Sequence, residues 1–149
     1  MQHNNNLRNI TPIFERPLLE EQCQLLSNAI GNIIGSVNLN LEGCIFGNDQ
    51  SFNRIVTSST GVKSLKVNCH THENYAAVAA LLQDPRAKLE SLKIEWERLH
   101  GEGFTLMRPS LIGNTTMKYL TIGRFDDAEG QFPTILCDAS SIESICNSN

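Results

Sequence analysis

The chain has 149 residues, 40% of them apolar and 19% charged, a balance that suits one domain with a buried core and excludes a chain disordered throughout. Its formal charge of −4 excludes a general nucleic-acid binder, which would carry a basic face. No apolar run approaches the ~20 residues that span a bilayer, so neither nucleic acid nor a membrane is an expected partner.

Residues 1–17, MQHNNNLRNITPIFERP, lack the basic-then-apolar layout of a secretory signal and read as a polar tail, MQHNNN being disordered; the expected compartment is the cytoplasm, with the nucleus as the second choice. From Leu18 the spacing predicts a helix that puts Leu18, Leu19, Leu25, Leu26, Ala29 and Ile30 on one broad face. SVNLNLEGC (36–44) alternates like a strand. DQSFNRIVTSSTG (49–61) follows as a helix with Phe52, Ile55 and Val56 inward. VKSLKVNCH (62–70) is a second strand, and ENYAAVAALLQDP (73–85) a helix that Pro85 stops. LESLKIEWE (89–97) and MKYLTIGRF (117–125) are strands, and IESICNSN (142–149) begins a fifth. The segments 101–114 and 129–140 read as helices shortened or distorted by Pro109 and Pro133.

The five strand segments align. Their fourth positions are Leu39, Leu65, Leu92, Leu120 and Ile145, and the first four have Leu41, Val67, Ile94 and Ile122 at the sixth. A strand such as SLKI turns Leu92 and Ile94 to one face and Lys93 to the other, and it buries that face only by stacking beside its like. The pattern resembles the leucine-rich repeat, L-x-x-L-x-L-x-x-N/C, and the length of the period with helices between strands resembles its ribonuclease-inhibitor-like subtype. The resemblance covers Leu18 to the C-terminus. It implies an α/β solenoid, a right-handed array of about five strand–helix units over 18–149, with parallel strands on the concave face and helices on the convex face. SSIESICNSN stops as a strand begins, without a polar capping helix, so the array reads as a fragment of a longer one.

Five cysteines, Cys23, Cys44, Cys69, Cys137 and Cys146, include no pair at zinc-site spacing and read as reduced, packed thiols. VNCHTHENYA (67–76) crowds Cys69, His70, His72 and Glu73 together, the ingredients of a metal-dependent hydrolase or a cysteine–histidine pair. Adjacent residues at a strand end point apart, which argues against both. In the register of the resemblance Cys44 and His70 take the ninth position, turned inward to satisfy backbone groups. Cys69 then faces solvent, and His72 and Glu73 open a helix. His100 in ERLHGEG reads as part of a solvated turn, and Asp126, Asp127 and Glu129 lack calcium-loop spacing and fit the start of a helix.

The columns across the strands are Asn38–Ser64–Ser91–Tyr119, Asn40–Lys66–Lys93–Thr121, Glu42–Asn68–Glu95–Gly123 and Gly43–Cys69–Trp96–Arg124. Trp, Tyr and Arg dominate binding energies at interfaces, so Lys66, Lys93, Glu95, Trp96, Tyr119 and Arg124 form the expected partner-binding set, although Trp96 also suits a place roofing the core edge. The expectation is a non-enzymatic module that binds a protein through its strand face, without metal or cofactor. The resemblance also implies a regulatory alternative: an enzyme inhibitor, a GTPase activator or a substrate-selecting ligase subunit.

Overall fold

The computed structural model describes residues 8–33, 36–96, 102–124 and 134–136. Helix α1 (Glu20–Gly31) starts where the Gln22 side chain turns back to accept the Leu19 N–H at 2.9 Å, with Glu20 and Glu21 in the first turn, where the helix dipole favours acids. Its buried stripe is Cys23, Ser27 and Ile30, with Leu26 half-buried beside it. This corrects the broad leucine face expected from the sequence: Leu19 and Leu25 are about 70% exposed and Ala29 is exposed too. The helix is turned so that the Ser27 hydroxyl meets Ser58 at 2.6 Å on the next helix, which places Leu25 outside.

Strand β2 (Val37–Asn40) leads to helix α2 (Asp49–Ser58), capped by Asn48, whose Oδ1 accepts the Ser51 N–H at 2.9 Å. Phe52, Ile55 and Val56 are buried as expected, Phe52 edge-on to Phe46 with ring centroids 5.4 Å apart. A single 3₁₀ turn, Ser59–Gly61, joins α2 to strand β3 (Val62–Cys69). Helix α3 (His72–Gln83) is capped by Thr71 and ends at Asp84, which is extended (φ −68°, ψ 120°) because a residue before proline disfavours the helical region. Strand β4 (Ser91–Trp96), helix α4 (Glu102–Ile112) and strand β5 (Tyr119–Arg124) complete the described sequence of alternating elements. Pro109 does not end α4, which continues to Ile112.

The strands pair in chain order in one sheet, parallel from a short N-terminal strand β1 (Asn9–Ile10) through β5. β1 lies inside the segment read as a polar tail. The register sets Leu39, Leu65, Leu92 and Leu120 side by side, and Val67 against Ile94 and Ile122. These apolar positions turn to one face and are covered by a layer in which α1, α2, α3 and α4 pack successively against one another. The chain is thus an α/β protein with a five-stranded parallel sheet.

Two features depart from expectation. The segment 129–140, read as helical, contains strand β6 (Thr134–Leu136), antiparallel to β5 with Tyr119 opposite Leu136. A helix was inferred from apolar spacing alone, but Pro133 withholds an N–H just where a helix would need one, and pairing with the free edge of β5 satisfies the backbone instead. Residues 1–7, the His100 turn, Asp126, Asp127 and Glu129, Cys137, Cys146 and the fifth segment 142–149 lie outside the described residues.

Candidate functional site

Alternation along β3 decides the fate of the cysteine–histidine cluster. Leu65, Val67 and Cys69 are all buried, so the strand keeps its two-residue period to its last position and Cys69 enters the core, fully covered. His70 comes after the strand and is exposed. This reverses the expectation that His70 turns in and Cys69 out. Burial pushes the Cys69 thiol up to about 12 and the half-buried Cys44 thiol to about 11, so neither is a thiolate near neutrality. His72 is exposed in the first turn of α3. Cys69, His70 and His72 therefore do not converge, and among the described residues no three or more His, Cys, Asp or Glu side chains group as metal ligands.

The task expected of His70 is performed by Asn74, four residues on. Buried Asn74 accepts the N–H groups of His70 (3.1 Å) and Thr71 (3.2 Å) on Oδ1, and its amide donates to Asp49 at 2.9 Å. The Thr71 hydroxyl donates to the same Asp49 oxygen at 3.0 Å, tying the starts of α2 and α3 together. The signal in the sequence was T-x-x-N, a capping pattern at the head of a helix. Cys44, by contrast, does contact backbone, its Sγ donating to the Pro12 carbonyl at 3.2 Å. Beside this network lies a depression of about 370 Å³ lined by Leu41, Cys44, Phe46, Asp49, Asn68 and His70.

On the sheet face away from the helices, the expected columns are paired residue for residue: Lys66 beside Lys93 and Lys93 beside Thr121, Ser91 beside Tyr119, Asn68 beside Glu95. The two lysines differ in kind. The Lys93 ammonium is held between Glu42 Oε1 (2.8 Å) and Glu95 Oε1 (2.7 Å), with only 22% of its side chain exposed. Burial opposes its charge, but the hydrogen bonds and charges of Glu42 and Glu95 outweigh burial and raise its pKa. Lys66 is exposed and makes no ion pair among the described residues. Tyr119 is 47% exposed, large for an aromatic ring on a strand. Asn68 stitches β3 to the end of β2 through Nδ2 and the Glu42 carbonyl (2.9 Å).

Trp96 and Arg124 take the register of Cys69, with Cys69 opposite Trp96 and Trp96 opposite Arg124. Their side chains lie outside the described residues. The sequence reading missed one further column, Lys63–Glu90–Lys118, at the N-terminal ends of β3–β5. Glu90 Oε2 lies 3.0 Å from Lys118 Nζ and 3.7 Å from Lys63 Nζ. Its signal was the second position of each aligned segment, which carries charge in all three. Among the described residues no helix is long and apolar enough to cross a membrane. Neither protein-family models, nor curated proteins, nor solved structures gave a match to this chain.

Proposed function

We propose that the protein is a non-enzymatic recognition module, an α/β solenoid of the ribonuclease-inhibitor-like leucine-rich repeat kind, that binds a protein partner through the sheet face opposite its helices. The observation that carries this reading is the pairing of an exposed Lys66, without an ion pair among the described residues, with a neighbouring Lys93 held by Glu42 and Glu95 on the sheet face that also displays Tyr119. A locked charge fixes the surface, and an exposed cation two strands from an exposed ring on the same face gives a partner orientation and affinity. Trp96 and Arg124, expected in the same set, share the register of buried Cys69, and the proposed face therefore rests on Lys66, Lys93, Glu95 and Tyr119.

The test is affinity capture from lysate with wild type and two variants, Lys66→Glu and Tyr119→Ala. A partner retained by the wild type and lost by both variants supports the reading. A partner retained equally by all three places recognition elsewhere on the molecule.

A further inference from the structure

Three of the chain's five lysines line a single groove of about 470 Å³ at the N-terminal ends of β3–β5, apart from Lys66 in the interior of β3 and far in charge from the chain's formal −4. They are Lys63, Lys88 and Lys118, with Glu90 between the first and last and the exposed hydroxyls of Ser36 and Thr115 at the rim. Glu90 is shared by Lys118 and Lys63, and the Lys118 hydrogen bond chiefly holds its carboxyl below the usual range. One carboxylate offsets one of the three ammonium groups. Lys88 makes no ion pair among the described residues, and the Lys63 and Lys118 side chains are 47% and 60% exposed.

The groove is built from fixed backbone. Lys88 is pinned by its N–H to the Thr60 carbonyl at 2.9 Å, and Glu90 and Lys118 each donate an N–H to the preceding strand at 2.8 Å. Asn114 organises the far wall, its Oδ1 accepting the N–H groups of Thr116 (2.9 Å) and Met117 (2.7 Å) while its Nδ2 holds the Leu82 carbonyl at 2.9 Å. The lysine stems thus project from a rigid rim, so little backbone order has to be created on binding.

We propose that this groove docks a short acidic polypeptide segment, Asp- or Glu-rich and extended. The Lys63 and Lys118 ammonium groups both reach Glu90 Oε2, at 3.7 and 3.0 Å, and so stand no more than about 7 Å apart, the spacing of alternate carboxylates on an extended peptide rising about 3.4 Å per residue, while Lys88 takes a further one. The positive patch is also too short for a long polyanion. A nucleic-acid strand would run beyond it onto a chain of net negative charge.

A fluorescein-labelled hexaglutamate peptide, titrated with the full chain and followed by anisotropy, tests this directly. Expected are saturable binding that weakens as salt is raised from about 50 to 300 mM, a loss of about tenfold or more for Lys88→Glu, and less than about twofold change for Lys66→Glu. Lys88→Gln, which removes charge without reversing it, is expected to fall between, and its circular-dichroism melt to match the wild type. Absence of saturable binding to the wild type overturns the proposal. So does an unchanged affinity for Lys88→Glu in a folded variant, an equal loss for Lys66→Glu, or tighter binding of a labelled decathymidine than of the peptide. Because Lys88 reports on the groove and Lys66 on the sheet face, failure of peptide binding leaves the sheet-face reading standing, and loss of a captured partner from Lys66→Glu says nothing against the groove.

Discussion

Gly103 of α4 lies directly on the ring of Tyr75 of α3: a Cβ at Gly103 would stand 2.6 Å from two ring carbons and 2.8 Å from a third. No other residue type permits that approach, and Tyr75 is itself 1% exposed and cannot swing away. Gly103→Ala is therefore expected to destabilise by about 1–3 kcal/mol despite alanine's better helix propensity. Urea unfolding checks this, and an unchanged midpoint would show that α3 and α4 slide apart freely.

The same ring carries a hydroxyl that is buried with no hydrogen-bond partner among the described residues. Burial raises the Tyr75 pKa, with a smaller contribution from Cys69 nearby. Tyr75→Phe keeps the packing and removes the stranded group, so it is expected to be neutral or to stabilise by up to about 1 kcal/mol. A melt that drops by several degrees would reveal a partner for that hydroxyl.

Lys66 and Lys93, adjacent and chemically alike, are expected to respond unequally to charge reversal. Lys66→Glu changes an exposed group with no ion pair among the described residues and should stay within about 0.5 kcal/mol of wild type. Lys93→Glu brings a third carboxylate against Glu42 and Glu95 and should cost about 1–3 kcal/mol. For that reason Lys66→Glu, and not Lys93→Glu, is the clean probe of partner binding. Thermal melts of the two single variants settle the comparison, and equal stabilities would mean that the Glu42–Lys93–Glu95 arrangement contributes nothing.

Alkaline titration should report the same arrangement. The folded pKa of Lys93 is raised above the unfolded value of 10.5, so its stabilisation is whole below that value and is lost as pH rises through the higher folded one. Wild type is expected to lose stability more steeply than Lys93→Met above about pH 10.5. Parallel pH profiles would remove the glutamates as the cause of the shift.

At the acid end, Arg86 donates to Asp84 from its backbone N–H (2.9 Å), Nε (3.0 Å) and a terminal nitrogen (2.8 Å), and these bonds hold the Asp84 carboxyl at about 2. A lowered folded pKa means stabilisation present above the ordinary value of 3.8 and lost as pH falls towards 2. Arg86→Gln should return the carboxyl towards 3.8, as read by carboxyl chemical shifts in NMR. A carboxyl that still titrates near 2 in the variant would assign the shift to the turn itself.

How far the sequence could be read is plain at particular residues. Leu39, Leu65, Leu92 and Leu120 were aligned by spacing alone and stand side by side in the sheet, because one buried face per strand leaves a single register that keeps every leucine covered. The Asn40–Lys66–Lys93–Thr121 column followed from that register. What failed did so where a borrowed pattern met local geometry. Cys69 and His70 were assigned by position in a motif, whereas the two-residue alternation of β3 runs on and takes Cys69 inside. On α1 the spacing turns Leu25 and Ala29 inward with Leu26 and Ile30, but the helix is rotated so that Ser27 meets Ser58, and a serine pairing 31 residues away is invisible to periodicity. The two residues of β1 carry too little pattern to be found at all; they are held by backbone pairing to Asn38 and by the Asn38–Asn9 side-chain bond at 2.9 Å.

Strand order has a consequence for synthesis. Each described strand pairs with the strand next in the chain, and the longest paired separation, Asn9 with Asn38, is only about 30 residues. Nothing in this sheet waits for a distant segment. As the polypeptide leaves the ribosome, each new strand finds its template already in place, so the sheet can lengthen at the pace of translation, each strand covering the edge left by the one before.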